Sequence, residues 1–316
     1  MVDLEKRRKA SLRMFNVITA LLIMVFTGLL LYGRVSLLVL GLISVGTSVF
    51  LTYFNSHSHN EELSIDIMAQ TSRLRDFHPV LKFWTLIGLL VICVASRNAA
   101  TGIFLAVMMM VISKFAGGLD LHYYIGVLIV PIRFLLIGGL ALLLETAPEP
   151  MGIANYNIFG IWLCLTPISQ TRTALVMSRA FGAVSCLCLL STSTPMPDII
   201  AVLRKARCPD FIVDMMYLIY RYIFILLTLH HEMHDAAKSR LGFSDYRNSL
   251  RSTAKIYASL LGRSFQFAGN NFDAMESRCY DTGISFLQRN FSVSPTQIIA
   301  CATLMLVSAG LNFMPL

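Results

Sequence analysis

The chain has 316 residues, of which 56% are apolar and only 14% charged, and its formal net charge is +8. A soluble chain carries nearer a quarter charged residues, so this composition excludes a water-soluble globular domain. The basic surplus points to a cytoplasmic membrane face and not to nucleic acid, because Lys and Arg accumulate on that side of membrane proteins.

In chain order, Glu5-Lys6-Arg7-Arg8-Lys9 and Arg13 come directly before the first apolar run. They place the N-terminus in the cytoplasm. Met14–Gly33 has no charged residue across 20 positions, and Val35–His57 ends on a histidine with no other charge. About 20 apolar residues suffice to cross the hydrocarbon as a helix. The first run is too long for a signal-peptide core, and a second follows at once. Both read as retained spans, near 14–33 and 35–54, in a hairpin around Arg34. Residues 55–82 are polar and end on Asp76-Phe77-His78-Pro79-Val80-Leu81-Lys82. Further spans are expected at Phe83–Ser96 and Asn98–Ser113, and from about Leu121 to Leu144, interrupted by Pro131 and Arg133. The next loop holds Glu145, Pro148, Glu149 and Pro150 with no Lys or Arg, which fits the outer face. Residues 156–170 are apolar but broken by Pro167, so they read as an outer-face or partly embedded segment. A helix from about Thr171 to Thr194 returns to the cytoplasm, and the last span is Pro295–Met314. The expectation is an all-α polytopic membrane protein with about seven spans and its C-terminus outside.

Between the last two spans the character changes. Residues 204–278 hold eleven Lys or Arg and seven Asp or Glu. Between the charges, Met215, Leu218, Ile219, Tyr222, Leu226 and Leu229 recur at spacings of three and four, one stripe of a helix. Pro195, Pro197 and Pro209 mark helix starts, with Thr194 and Asp198 available as caps. Several long amphipathic helices are therefore expected, lying along or just below the membrane.

No enzyme signature is present. The chain has no GxxxxGK[ST] phosphate loop and no GxGxxG or GxSxG in a strand–helix setting. The seven cysteines make no CxxC pair or zinc spacing, and most lie in apolar runs. His230 and His234 share a helical face within His230-His231-Glu232-Met233-His234, but a polar helix face explains them better than a metal site. The pair in His57-Ser58-His59 is treated the same way. No catalytic residue, metal ligand or cofactor is expected. Arg221, in Tyr220-Arg221-Tyr222, either faces a partner or cavity or snorkels to the interface; Arg179 poses the same question.

Six motifs occur in a set order. The first is the Asp76–Lys82 stretch. Leu189 to Asp198 (LLSTSTPMPD) and Leu203 to Pro209 (LRKARCP) follow, then Tyr220-Arg221-Tyr222-Ile223-Phe224 with Glu232. Ala236-Ala237-Lys238-Ser239-Arg240-Leu241-Gly242 and Ala274-Met275-Glu276-Ser277-Arg278-Cys279-Tyr280 complete the set. In this order they resemble the transmembrane T component of energy-coupling factor (ECF) transporters, in its CbiQ-type, cobalt-linked branch, over about residues 73–316. The family typically has Ala-Arg-Gly at both arginine motifs, where this chain has Ser-Arg-Leu at 239–241 and Ser-Arg-Cys at 277–279.

The resemblance implies a division into an N-terminal extension with two added spans (1–72), a membrane domain (73–197), a cytoplasmic coupling-helix domain (198–294) and a last span (295–316). It implies a non-catalytic coupling subunit of an ECF-type ABC importer in the plasma membrane. Ser239, Arg240 and Leu241, with Ser277, Arg278 and Cys279, would dock on two P-loop ATPases. Pro195, Asp198, Pro209, Tyr220, Arg221 and Glu232 would shape the coupling helices. A small apolar substrate-binding subunit would be held in the bilayer, and a cobalt or nickel ion is the favoured cargo. The competing readings are a secondary transporter, which would carry inverted repeats and intramembrane acids, and a membrane scaffold that recruits another cytoplasmic protein through 198–294.

Overall fold

The computed structural model describes residues 20–32, 69–70, 72–118, 121–147, 154–158, 161–280 and 295–313. The expected span at 35–54 and the pair His57 and His59 lie outside them. The helices are α1 (Ala20–Leu31), α2 (Pro79–Ala95), α3 (Ala99–Phe115), α4 (Leu121–Leu143) and α5 (Pro167–Ser193). They continue with α6 (Met196–Lys205), α7 (Asp210–Ser239), α8 (Tyr246–Glu276) and α9 (Pro295–Phe313). A 3-10 turn at Arg73–Asp76 precedes α2. Among the described residues α4, α5, α7 and α9 are long and apolar enough to cross a membrane, and α1, α2 and α3 are shorter apolar helices. The protein is an all-α polytopic membrane protein, and six of the expected spans coincide with α1 to α5 and α9. Contacts divide the chain into two compact units, residues 1–195 with 291–316, and residues 196–290.

The first unit is organised around α5, which packs on α2, α3 and α4. Its α3 and α5 approach closely because Gly102 and Gly182 face each other: a Cβ on Gly182 would lie 2.7 Å from the Gly102 carbonyl oxygen and from Cys93 Sγ. Without a hydrophobic drive between helices in lipid, such small-residue contacts supply the packing. The buried residues Leu86, Leu89, Cys93, Leu105, Met109, Cys186 and Leu189 form the core beside this contact. Tyr124 of α4, fully buried, donates to the Ser185 carbonyl of α5 at 3.1 Å. The expected interruption at Pro131 and Arg133 does not break α4, which is continuous through both; neighbouring helices can compensate a membrane proline.

The N-terminal extension is tied to this unit through α1. Ile23 and Phe26 pack with Leu136 of α4, beside Met177 of α5. Gln170 Nε2 donates to the carbonyls of Leu29 (3.2 Å) and Tyr32 (3.0 Å), covering two of the acceptors that the end of α1 leaves without helical partners.

The segment expected at 156–170 divides between two strands and the start of a helix. The segment holds β2 (Ala154–Ile158) and β3 (Ile161–Leu165), which pair antiparallel, and β1 (Glu145–Ala147) pairs with the other edge of β3. The strand order is β1-β3-β2. Pro167 does not break a helix but opens one. Thr166 accepts from the Ser169 amide at 3.2 Å, and Ser169 Oγ accepts from the Thr166 amide at 3.3 Å, a complete capping box. Proline at the first helical position loses no hydrogen bond, so α5 starts four residues before the expected Thr171. The same holds for α2, which starts at Pro79 and not at Phe83.

In the second unit, α6 starts after Pro195, with Asp198 in its first turn, and Pro209 is the N-cap of α7. Thr194 is the C-cap of α5 and not an N-cap for α6. Near their junction α7 and α8 touch through His230 stacked on Tyr257 (centroids 5.5 Å apart), and His234 lies against Phe243 of the connecting turn (4.7 Å). Gly242 lets the chain turn tightly there, because a Cβ would lie 2.8 Å from Ser252 Oγ, which donates to the Gly242 carbonyl.

Candidate functional site

The two arginine motifs are the same structure built twice. In the first, Leu241 has φ 58°; its amide donates to the Lys238 carbonyl (3.1 Å) and the Gly242 amide donates to the Ala237 carbonyl (2.9 Å). In the second, Cys279 has φ 53°; its amide donates to Glu276 (2.9 Å) and the Tyr280 amide donates to Met275 (3.1 Å). These paired bonds are the ones that close a helix on a left-handed residue. The serines repeat too: Ser239 Oγ donates to the Ala236 carbonyl (2.9 Å) and Ser277 Oγ to the Ala274 carbonyl (3.0 Å). Each arginine therefore sits just past the helix, between a back-bonded serine and a left-handed residue. Arg240 and Arg278 are both exposed, as are the residues that flank them.

The left-handed position is where the resembling family has glycine. Leucine or cysteine there carries a penalty of about 1–2 kcal/mol, and both ends close the cap all the same. A third cap of this kind closes α6: Arg207 has φ 61°, with Arg207 N–H to the Arg204 carbonyl and Cys208 N–H to the Leu203 carbonyl, both 3.2 Å.

The remaining expected positions spread along α6 and α7. Tyr220 stands edge-on to Phe224 with centroids 5.0 Å apart. Arg221 and Glu232 are exposed, with no ion-pair partner among the described residues. His230 and His234 have ring centroids 6.2 Å apart, but no group of three or more His, Cys, Asp or Glu that could hold a metal occurs among the described residues.

Two polar centres were not assigned a role from the sequence. Asp214 is buried, and its carboxylate accepts from Arg204 Nη2 at 2.7 Å and from the Tyr280 hydroxyl at 3.2 Å. This joins α6, the start of α7 and the residue that closes the second arginine cap. In the other unit, Lys82 is buried, and its Nζ donates to the carbonyls of Ser193 (2.7 Å) and Leu74 (3.0 Å). The ammonium meets the carbonyl end of α5, where a helix dipole favours a cation. Lys82 meets Ser193 and Asp214 meets Tyr280 over 111 and 66 residues; Lys82 and Tyr280 fall in the ordered motifs, and Asp214 falls in none.

Exposed apolar side chains run along both long helices. On α8 they are Tyr246, Leu250, Tyr257, Leu261, Phe265 and Phe272, at spacings of four and seven, and on α7 Phe211, Ile219 and Ile223 are exposed. Contiguous apolar surface of this kind marks an interaction or membrane surface.

Comparison with known proteins agrees with this layout. The family described as CbiQ, cobalt transport protein, matches residues 70–288, which take in both arginine caps. A putative fused cobalt transport protein CbiMQ of Methanocorpusculum labreanum is 28% identical over 77% of this chain and 41% of its own length. An uncharacterized protein of Methanocaldococcus jannaschii is 29% identical over 71% of this chain and 83% of its own. The cobalt transport protein CbiQ of Rhodobacter capsulatus is 27% identical over 73% of this chain and 90% of its own. The chain thus spans less than half of the fused relative and most of the other two. With α2 to α8 and all six ordered motifs inside that match, the chain belongs to the CbiQ family of cobalt transport proteins, the CbiQ type of ECF transmembrane component.

Proposed function

We propose that this chain is the coupling subunit of an ECF-type importer, passing the ATP-driven motion of two cytoplasmic P-loop ATPases to a small apolar substrate-binding subunit in the plasma membrane. The observation that carries this reading is the duplicated cap, in which Arg240 and Arg278 project from helix ends of one geometry. A guanidinium presents five donors in a rigid plane, which suits the carboxylates and carbonyls of a protein socket. One cap per ATPase accounts for there being two. ATP hydrolysis belongs to the partners, and this chain contributes no catalytic group or cofactor.

The exposed stripes of α7 and α8 are the surfaces for the membrane partner, and the fused CbiMQ relative supports a neighbour of that kind. A transition-metal ion, cobalt before nickel, is the favoured cargo, on the family's description. The N-terminus and residues 198–294 lie in the cytoplasm by their Lys and Arg content. No Asp or Glu occurs in α1 to α5 or in α9; with α7 and its acids placed in the cytoplasm, this favours an external ATPase over an ion-coupled carrier with intramembrane acids.

Co-purification tests the reading. The chain in detergent is expected to retain a pair of P-loop ATPases encoded beside it. Arg240→Ala or Arg278→Ala should weaken that binding about tenfold or more, as for a charge-assisted contact, with the elution profile of the free chain unchanged. A wild-type chain that captures no ATPase overturns it.

A further inference from the structure

We infer that Asp214 is a positioning residue for the second arginine cap, holding Arg278 on the α6–α7 corner so that load applied at Arg278 reaches α6. This rests on the docking role proposed above for Arg278. The two caps differ in how they are anchored. Arg240 lies at the junction of α7 and α8, where the chain turns back within a few residues and Ser252 ties down Gly242. Arg278 lies at the other end of the 31-residue helix α8, about 45 Å long, where a free helix end frays.

Here the Asp214 carboxylate serves as the anchor. It is 4% exposed in its side chain and accepts from Arg204 at 2.7 Å and from the Tyr280 hydroxyl at 3.2 Å. Tyr280 is two residues past Arg278, and its own amide closes the cap on Met275. One buried carboxylate thus receives α6 on one oxygen and the arginine-bearing end of α8 on the other. A buried carboxylate is tolerated when it is paired and hydrogen-bonded, and these two bonds reach other elements. The clamp thus joins the second cap to α6, the first helix of residues 196–290.

The test uses the full chain with its ATPases and compares wild type with Tyr280→Phe and Asp214→Asn. Tyr280→Phe removes one hydroxyl and keeps the ring, so it serves where Asp214→Asn fails to fold. Amide exchange is read first on the chain without ATPases. Exchange at residues 270–280 should rise about tenfold, the loss of a bond to a charged acceptor at a helix end, with 246–256 unchanged. Metal transported per ATP hydrolysed is then read in the assembled complex. It should fall about two- to thirtyfold, the range over which single substitutions alter coupling between sites, with ATPases still bound. Unchanged exchange at 270–280 overturns the clamp. Altered exchange with an unchanged transport ratio overturns its positioning role. Failure of the wild-type chain to bind ATPases overturns the docking reading and this role with it, while the exchange result still decides whether the clamp exists.

Discussion

The two units of this protein solve the packing problem differently. In the membrane unit, α2, α3, α4 and α5 meet through glycines and buried apolar side chains, and some buried hydroxyls bond within their own helix, as where Thr192 donates to Cys188 and Ser185 to Phe181. Among the described residues of 196–290 the buried apolar set is small, Ile200, Val202, Val213 and Ile256, and the long helices keep Phe211, Ile219, Leu261, Phe265 and Phe272 exposed. Both units leave apolar side chains exposed, but the first also closes a core, whereas the second joins its helices at polar points such as Asp214 and Ser252. A scaffold of that kind suits a part whose surface is completed by other molecules.

The comparison breaks most sharply at the glycine contact. Gly182→Leu drives a side chain into the Gly102 backbone and Cys93, and should destabilise the membrane unit by about 3 kcal/mol. The check is loss of the monodisperse peak in detergent, with Gly262→Leu as the control, since nothing lies within 4 Å of a Cβ there. An unaffected Gly182→Leu protein would show that α3 and α5 do not depend on close approach.

Lys82→Met should come next. It keeps most of the side-chain volume and leaves the Ser193 and Leu74 carbonyls without this donor, for a loss of about 2 kcal/mol. A lowered melting temperature in detergent is the readout. Leu241→Gly and Cys279→Gly are the smallest effects and have the opposite sign. They remove the left-handed penalty while exposing little new surface, because Leu241 is already 76% exposed. Each should stabilise the second unit by about 1 kcal/mol and leave ATPase capture intact. Loss of capture would mean that the side chain after the arginine, and not the cap, is what docks.

How much of this was legible in the sequence follows the range of the interactions. Uncharged runs such as Met14–Gly33 and Pro295–Met314 announce membrane helices because burial in lipid acts on each residue alone. The short strands at 154–165 did not show, since a brief apolar run has no period that separates strand from helix. Pro79 and Pro167 were legible only as punctuation; the Thr166–Ser169 box decides that Pro167 opens a helix. The caps at Leu241 and Cys279 are hidden because glycine, the usual marker of a left-handed residue, is absent from both positions. The Lys82–Ser193 and Asp214–Tyr280 pairs join residues 111 and 66 apart, and no local pattern encodes such a meeting. What the arginine motifs lacked in local signal they supplied in order along the chain.

The most direct measurement of the central claim is metal uptake by cells or vesicles carrying the Arg240→Ala/Arg278→Ala double variant with its ATPases. The account predicts that uptake falls to background, while the variant chain keeps its membrane level and its wild-type elution profile. Uptake equal to wild type in the double variant would contradict it.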